Sequence, residues 1–259
     1  MRVVLTIAGS DSGGGAGIQA DLKTFQRFGV FGTTVITAVT AQNTRGVTGW
    51  AAVDAAMVRA QLDAVAIDLR PAACKSGMLA NEAVVEAVAS GLLEHALVPY
   101  VCDPVMVATS GDPLLATGAV HSIVRDLFPL AALVTPNLDE AELLLKEPVR
   151  SPDAMRAAAR RIVHELGAGA ALVKGGHLVG DELTDVFFDG AHEETFVHAR
   201  VRTTSTHGSG CTLSAAIAAQ LALGTSLRDA VALSLAWVHE AIESAPGLGS
   251  GKGPLNHFA

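Results

Sequence analysis

The sequence lacks the features that mark several large classes of protein. Lysine and arginine number 18 against 26 aspartates and glutamates, so the net charge is −8 and no basic stripe indicates nucleic-acid binding. Only Cys74, Cys102 and Cys211 occur, without the C-x-x-C spacing of zinc or dithiol redox sites. An odd number of cysteines without an export signal predicts free thiols in a reducing compartment, and we expect a cytoplasmic protein.

Long apolar runs are also missing, although half of the residues are apolar and the mean hydropathy is +0.39. A membrane-spanning helix needs about 20 consecutive apolar residues. The run at 127–134 is short and contains Pro129, and the run at 215–223 contains Gln220. The apolar run near the N-terminus ends before Asp11 and is too short for an export signal, so a strand is expected there. We expect no membrane partner and, at 259 residues, one domain over 1–259.

Short β-branched runs alternate with helical spacings along the whole chain. Strands are predicted at residues 3–8, 33–40, 72–76, 97–102, 132–134 and 170–174, with a hairpin at 183–188 and 194–198. Helices are predicted at residues 18–28, 55–66, 81–95, 117–128, 139–145, from 151 onward, 211–223 and 226–244. This alternation indicates an α/β protein with a mostly parallel sheet covered on both faces. The glycine-rich tail at 247–253 is predicted to be loose or weakly docked.

Glycine and polar residues cluster directly after the predicted strands. In parallel sheets with helices on both faces, ligands bind beyond the carboxyl ends of the strands. The clusters lie at residues 9–17, 42–43, 75–77, 103–104, 135–140 and 174–177. Their repeated placement predicts a binding cleft at that edge, but it does not identify the ligand.

The first cluster, at 9–17, is a glycine-rich loop between a strand and a helix. No lysine follows it, so it is not a G-x-x-x-x-G-K-[ST] loop, and Ile18 breaks the G-x-G-x-x-G register. Its backbone N–H groups and the helix N-terminus are suited to an anion or polar ligand. A tight strand-to-helix turn that needs small residues is an equally good interpretation of this loop alone.

Asp103, Asn137 and Glu140 follow two neighbouring predicted strands, and magnesium prefers such oxygen ligands. The alternative is that Asp103 and Glu140 are helix N-caps or first-turn acids favoured by the helix dipole. Lys174 ends an apolar strand, where its charge can meet phosphate oxygens. The alternative is a lysine that extends its charge into water at a strand end. His177 beside two glycines is assigned to the loop.

The most specific segment is residues 206–211, Thr-His-Gly-Ser-Gly-Cys, which runs directly into a helix. Its N–H groups predict a concave anion site at the positive end of that helix. Cys211 falls in the first turn, where a lowered thiol pKa is expected, and we assign it as the base that takes a hydroxyl proton. The alternative is a small buried cysteine, which is the interpretation we adopt for Cys74 and Cys102.

Together these motifs resemble the hydroxymethylpyrimidine/phosphomethylpyrimidine kinases of thiamine biosynthesis. The matching segments cover nearly the whole chain, in order and at compatible spacing. They are residues 7–11, 14–24, 40–44, 75–79, 103–106, 110–115, 135–140, 174–177, 206–214 and 253–257.

The resemblance implies a ribokinase-like three-layer α/β/α sandwich and a two-step, magnesium-dependent transferase reaction. ATP would phosphorylate 4-amino-5-hydroxymethyl-2-methylpyrimidine to its monophosphate, and a second ATP would convert the monophosphate to the diphosphate. The family is usually dimeric, so a homodimer is expected.

The resemblance also implies roles for individual residues. On the substrate side are Gly9, Gln42, Met78 and Val105, with Gln42 hydrogen-bonding the aminopyrimidine. On the nucleotide side are Lys174, Asn137 and Thr206, and on the metal side Asp103 and Glu140. The anion hole and base are Gly208, Ser209, Gly210 and Cys211. Ser209 departs from the usual threonine but keeps the hydroxyl, so little effect is expected.

Two other functions stay open. Pyridoxal or pyridoxine phosphorylation is one, although the Gln42 amide can donate to a ring nitrogen and accept from an exocyclic amine, which favours the aminopyrimidine. A non-catalytic pyrimidine-binding protein is the other, and the intact Asp103, Glu140, Lys174 and Cys211 argue against it. Aspartate in place of Cys211 is common among sugar-kinase relatives, so the cysteine favours a vitamin kinase.

Overall fold

A single nine-stranded sheet organises the chain. The computed structural model describes residues 1–106, 118–176, 178 and 180–259. The strands are β1 (Val3–Ser10), β2 (Phe31–Asn43), β3 (Gly46–Ala52), β4 (Ala73–Ser76), β5 (Tyr100–Cys102), β6 (Leu133–Val134), β7 (Ala171–Val173), β8 (Glu182–Phe188) and β9 (Glu193–Ala199). Their order across the sheet is β3-β2-β1-β4-β5-β6-β7-β8-β9.

The five neighbouring pairs from β2 to β7 are parallel, and the pairs at the two edges are antiparallel. The helices are α1 (Gly17–Arg27), α2 (Ala55–Leu69), α3 (Glu82–Glu94), α4 (Ala119–Ser122), α5 (Leu138–Leu145), α6 (Pro152–His164), α7 (Ser209–Ala222) and α8 (Leu227–Glu243). This arrangement confirms the predicted mostly parallel α/β sheet.

The core lies on both faces of the sheet. Alternate residues of β1 point to opposite faces, with Leu5 and Ile7 in one cluster and Val4 in the other. The first cluster is closed by α2, α3, α5 and α6, and the second by α1, α7 and α8. The predicted three layers are therefore present.

Local signals in the sequence explain most helix ends. The side chains of Asn81, Ser151 and Ser226 accept hydrogen bonds from amides in the first turns of α3, α6 and α8. The predicted helix at 117–128 is helical from Ala119 onward but only partly α-helical, because α4 passes into a π-helical turn at Ile123–Leu127 and a 3-10 turn at Phe128–Leu130, whereas residue 117 lies outside the described residues. Pro129, which lacks an N–H, lies in the last turn.

Two features add to the sequence-based expectation. Strand β3 was not predicted, because glycines at 46 and 49 weaken its β pattern; it forms through antiparallel pairing with β2. The tail is predicted to be loose or weakly docked, and it is docked through backbone hydrogen bonds. The amide of Lys252 donates to the carbonyl of Thr44 at 2.7 Å, and the amide of His207 donates to the carbonyl of Gly253 at 3.0 Å. No helix in the described part of the chain is long and apolar enough to cross a membrane.

Candidate active site

A cleft of about 760 Å³ opens at the carboxyl edge of the parallel strands. This cleft is lined by every residue that is predicted to have a substrate, nucleotide, metal or catalytic role. These residues are Gly9, Gln42, Met78, Asp103, Val105, Asn137, Glu140, Lys174, Thr206, Gly208, Ser209, Gly210 and Cys211. His177 and the motif at 110–115 lie outside the described residues.

Two glycine-rich loops meet in the cleft. Gly208 has a φ of +80°, and a Cβ there would lie 1.9 Å from the carbonyl oxygen of Gly15, so only glycine fits. The carboxylate of Asp11 accepts hydrogen bonds from the amides of Gly13, Gly15 and Ala16. Its Oδ2 also lies 2.9 Å from His207 Nε2, which joins the first loop to the loop before α7.

These contacts keep Asp11 ionised. Burial opposes its ionisation, but the hydrogen bonds from His207 and from the amides of Gly13 and Ala16 outweigh it and lower the pKa of the carboxyl. The amides of the first loop are therefore hydrogen-bonded to the side chain of Asp11, which lies in the same loop. It acts as a folded turn whose amides are largely satisfied internally, which supports the tight-turn interpretation for Gly13 and Gly15.

A cation and a carboxylate meet where β5 and β7 end. Lys174 Nζ lies 2.9 Å from Asp103 Oδ1, which also accepts from the Thr135 hydroxyl at 3.1 Å. A Cβ on Gly210 would lie 3.1 Å from Lys174 Nζ, so this ammonium sits beside the N-terminus of α7. Burial acts against the charged lysine, but Asp103 and Glu140 outweigh it and raise the pKa of Lys174. The cluster presents a fixed positive charge to the cleft.

Asn137 and Glu140 form a capping box at the start of α5. The Asn137 side chain accepts from the Glu140 amide at 2.9 Å, and the Glu140 carboxylate accepts from the Asn137 amide at 2.8 Å. The alternative of a first-turn acid therefore holds for Glu140, and Asn137 is the N-cap, a role that the sequence did not indicate. Both residues still line the cleft, but the Asn137 amide side chain is committed to the cap.

Magnesium fits the acidic side of this cleft through its donor chemistry. Burial, and after it the Asp103 carboxylate, raises the pKa of Glu140 to about 7, although Lys174 acts in the opposite direction. A divalent cation would relieve this crowding of negative charge, and magnesium needs only one or two carboxylates besides phosphates and water. The described residues contain no cluster of three histidine, cysteine or acidic side chains that could hold a metal alone.

The expected lowering of the Cys211 thiol pKa is wrong for the unliganded chain. Burial raises the pKa of Cys211 to about 11, and the carboxylates of Asp21 and Asp103 add to that rise. Lys75 acts in the opposite direction, as does a hydrogen bond from the Gly17 amide. The first turn of α7 was identified correctly, but desolvation outweighs the helix terminus. All three cysteines are free, as expected.

A buried ion pair lies beneath the cleft and was not predicted from the sequence. Lys75 on β4 and Asp21 on α1 are both fully buried, and Lys75 Nζ lies 3.0 and 3.1 Å from the two Asp21 oxygens. The Thr6 hydroxyl donates to Asp21 at 2.6 Å. Burial disfavours the ammonium, but Asp21 and then Cys211 raise the pKa of Lys75. The only sign of this pair in the sequence is a lysine inside an apolar predicted strand.

Other cleft residues were also missed. Asp185 in the middle of β8 accepts from the Gly175 amide at 2.9 Å, and burial raises its pKa to about 6. The far end of the cleft is lined by side chains of β9, the segment after it and α8. These are His198, Arg200, Val201, Leu235, Val238, His239 and Ile242. They carry no motif, because the antiparallel edge strands and the last helix reach the cleft only through the fold.

Comparison with known proteins finds small-molecule kinases over nearly the whole chain. The family model described as phosphomethylpyrimidine kinase matches residues 11–256. The hydroxymethylpyrimidine/phosphomethylpyrimidine kinase of Rhizobium meliloti is 52% identical over 99% of this chain and 97% of that protein. A bifunctional thiamine biosynthesis protein of Geobacter sulfurreducens is 50% identical over 98% of this chain and 52% of its own length. The crystal structure of an ADP complex of Bacillus subtilis pyridoxal kinase is 37% identical, with a TM-score of 0.93 and coverage of 100% of this chain and 98% of that one.

Proposed function

The chain belongs to the phosphomethylpyrimidine kinase family, and from this premise we propose that it phosphorylates the thiamine-precursor pyrimidine in two steps. ATP would convert 4-amino-5-hydroxymethyl-2-methylpyrimidine to its monophosphate, and then the monophosphate to the diphosphate. The observation that carries the proposal is the convergence of Lys174, Asp103 and the Gly208–Cys211 turn in one cleft. The kinase of Rhizobium meliloti, which aligns with nearly the whole chain, supports the same reaction.

Phosphoryl transfer depends mainly on positioning and charge stabilisation, and the cleft supplies both. The first-turn amides of an α-helix lack intrahelical partners, so Gly210 and Cys211 offer N–H groups to phosphate oxygens. The Ser209 amide donates to the Thr206 carbonyl at 3.3 Å and instead holds the turn closed. Lys174, fixed by Asp103, adds a positive charge beside these amides.

The carboxylates of Asp103 and Glu140 would hold Mg²⁺, which when bound neutralises charge on the nucleotide phosphates. Cys211 is placed to take the proton of the substrate hydroxyl. Gly9, Met78 and Val105 line the apolar part of the substrate side, and Gln42 supplies the ring-directed amide. Asn137 and Thr206 line the nucleotide side. We further propose that residues 1–259 act as one kinase domain in a cytoplasmic homodimer.

The test is an ATP assay with four acceptors: the hydroxymethylpyrimidine, its monophosphate, pyridoxal and ribose, each with and without Mg²⁺. We expect turnover of both pyrimidines, dependent on Mg²⁺, with the diphosphate as the final product. Monophosphate alone after long incubation with excess ATP would remove the second step from the proposal. Pyridoxal as the best acceptor would replace the proposed substrate, and no turnover of any acceptor would favour a binding protein.

Pyridoxal phosphorylation is the second candidate, because a solved structure of a pyridoxal kinase matches the whole chain. The two candidates are separated by Gln42. A pyrimidine edge with a ring nitrogen next to an amine matches one amide N–H and one amide oxygen. Replacing Gln42 with alanine should lower kcat/KM for the aminopyrimidine about tenfold or more, since a buried hydrogen bond is left unmade. If pyridoxal is the substrate, the same substitution should lower kcat/KM for pyridoxal much less.

A further inference from the structure

A chain of contacts runs across the substrate side from Asp11 through His207 to Gln42. Asp11 Oδ2 lies 2.9 Å from His207 Nε2, and the same nitrogen lies 3.4 Å from the amide Nε2 of Gln42. At its other end the Gln42 amide oxygen lies 3.2 Å from the Thr40 hydroxyl. His207 is buried and Gln42 is partly exposed to the cleft. The Gln42 side chain is therefore held between two polar groups.

The positions of the hydrogens in this series of contacts follow from Asp11 at one end and Thr40 at the other. Asp11 is ionised and can only accept, so His207 Nε2 carries the hydrogen of their 2.9 Å contact. The Thr40 hydroxyl has one hydrogen, and it is directed at the carbonyl oxygen of Ser10, 2.8 Å away. Thr40 can therefore offer Gln42 only a lone pair. His207 Nε2 is protonated and engaged by Asp11, so it presents no lone pair to Gln42, whereas Thr40 presents an acceptor.

The two ends of a glutamine amide have nearly the same size, so their partners decide which end is which. With Nε2 facing His207, two donors meet at 3.4 Å and two acceptors meet at Thr40. A half-turn about the last side-chain bond removes both repulsive contacts, because the amide N–H then donates to Thr40 and the amide oxygen faces the His207 N–H. We infer that His207 and Thr40 lock the Gln42 amide with its oxygen toward His207, and that this lock makes the site select 4-amino over 4-oxo pyrimidines.

Ring selection follows from the fixed order of donor and acceptor. Beyond its contacts with His207 and Thr40, the Gln42 amide has one N–H and one oxygen lone pair left for the ligand. A 4-amino ring offers an acceptor nitrogen beside a donor amine, and the amide matches it in one orientation. A 4-oxo ring offers a donor N–H beside an acceptor oxygen and needs the opposite orientation. A freely turning amide would read both rings, whereas a locked one reads only one. This inference rests on the proposed function, which supplies the 4-amino ring.

The test compares kcat/KM for 5-hydroxymethyl-2-methylpyrimidine carrying either the 4-amino or the 4-oxo group. The wild type should prefer the amino ring. Thr40→Val removes the lone pair at nearly constant volume and should reduce the amino-to-oxo ratio about tenfold, with the oxo ring improving or unchanged. Thr33→Val is the matched control. Its hydroxyl also lies on β2 and donates to a backbone carbonyl, but at Val4 rather than near Gln42.

A second readout keeps the inference testable if Thr40→Val binds substrate poorly. In ¹⁵N-labelled protein, the side-chain NH₂ of Gln42 should be rigid in the wild type and in Thr33→Val, and mobile in Thr40→Val. Equal use of both rings by the wild type, or an unchanged ratio in Thr40→Val with a rigid amide, would overturn the lock. Wild-type turnover of neither ring would contradict the proposed function instead.

Discussion

At the residue scale, Cys211 shows how burial decides the chemistry of a group that the sequence identifies correctly. The thiol lies in the first turn of α7 beside the anion site, yet burial raises its pKa to about 11. At pH 7 a thiol with that pKa is almost entirely protonated. Because Cys211 is proposed as the base, its small thiolate fraction should limit the rate at neutral pH.

We therefore predict that Cys211→Ala lowers kcat by about 10²–10⁴-fold, with little change in the Kd of the pyrimidine. Because the folded pKa lies well above neutral, the thiolate fraction rises with pH, so log kcat of the parent should increase between pH 7 and 9. Cys211→Asp, which is ionised throughout that range, should restore part of the rate without this slope. Single-turnover kinetics isolates the chemical step. An alanine variant with near-parental kcat in that experiment would leave Cys211 only a packing role.

Glu140 makes a stability prediction at the same scale. Its folded pKa of about 7 lies above the ordinary value of 4.5, so the folded state holds the proton more tightly than the unfolded chain. Its contribution is thus most favourable below the ordinary pKa and is lost as the pH rises through about 7. Glutamine keeps the capping box and cannot ionise.

In the absence of metal, Glu140→Gln should raise the free energy of unfolding at pH 8 by roughly 3 kcal/mol, since each pKa unit between 4.5 and about 7 corresponds to about 1.4 kcal/mol. The gain should shrink toward pH 5. Urea denaturation at the two pH values measures it, with the exposed Glu86→Gln as the control. A Glu140→Gln variant that is less stable than the parent at pH 8 would show that the ionised carboxylate is favourable there.

At the scale of elements, the pair between Lys75 and Asp21 connects β4 to α1 below the cleft. Each partner is fully buried, so removing one leaves an uncompensated charge in the core. Breaking such a pair typically costs about 3–5 kcal/mol, whereas replacing both partners is often nearly neutral. The energetic effect therefore depends on the pair and not on either residue alone.

Lys75→Met should lower the free energy of unfolding by about 3–5 kcal/mol, and adding Asp21→Asn should recover most of that loss. Asparagine keeps an acceptor for the Thr6 hydroxyl. Chemical denaturation of the parent, both single variants and the double variant gives the coupling energy. Equal loss in the single and double variants would mean that the ammonium packs without needing its carboxylate.

The tail is a second element whose contacts matter for the cleft. Its Gly251 lies so close to Thr44 that a Cβ would be 2.1 Å from the Thr44 carbonyl oxygen, and the next residues hold His207 in place. Gly251→Ala should displace the tail and raise KM for the pyrimidine several-fold, while kcat falls less. Gly49→Ala is the control, because a Cβ there meets nothing within 4 Å. Similar KM values in both variants would mean that the tail does not support the substrate side.

At the scale of the whole molecule, apolar side chains are exposed near the β3 edge of the sheet. Phe31 and Val39 on β2, Trp50 on β3 and Met57 on α2 are each more than a third exposed. An edge strand with unpaired backbone groups and exposed apolar side chains is a natural site for association. The expected homodimer would cover this region.

Light scattering should therefore give a mass near twice the 26.5 kDa of the chain, and Val39→Glu should give monomers. Leu93→Glu, which places the same charge at an exposed position of α3, should leave the dimer intact. The thermal midpoints of both variants, measured at low protein concentration, show whether the chain still folds. A wild type that is monomeric at every concentration would contradict the dimer, and equal dissociation caused by both variants would contradict an interface at the β3 edge.

The sequence by itself determined the order of the elements apart from β3, and it determined the location of the cleft. Helix caps such as Asn81 and Ser151 act on amides a few residues away, so local sequence suffices to predict them. The polar residues after β1, β4, β5, β6 and β7 converge because parallel strands present their carboxyl ends at one edge. For the same reason the residues assigned to the site all line one cleft.

Only the tertiary structure decided the contacts and charges within that cleft. Asp11 and His207 are far apart in sequence, as are Asp21 and Lys75, and each pair is brought together by packing between different elements. The pKa of Cys211 depends on burial by those elements, which outweighs the helix terminus that the sequence revealed. Docking of the tail on Thr44 likewise depends on a complementary surface that forms only when the sheet is complete. Local patterns specify which groups are available, whereas desolvation and long-range contacts set their ionisation and partners.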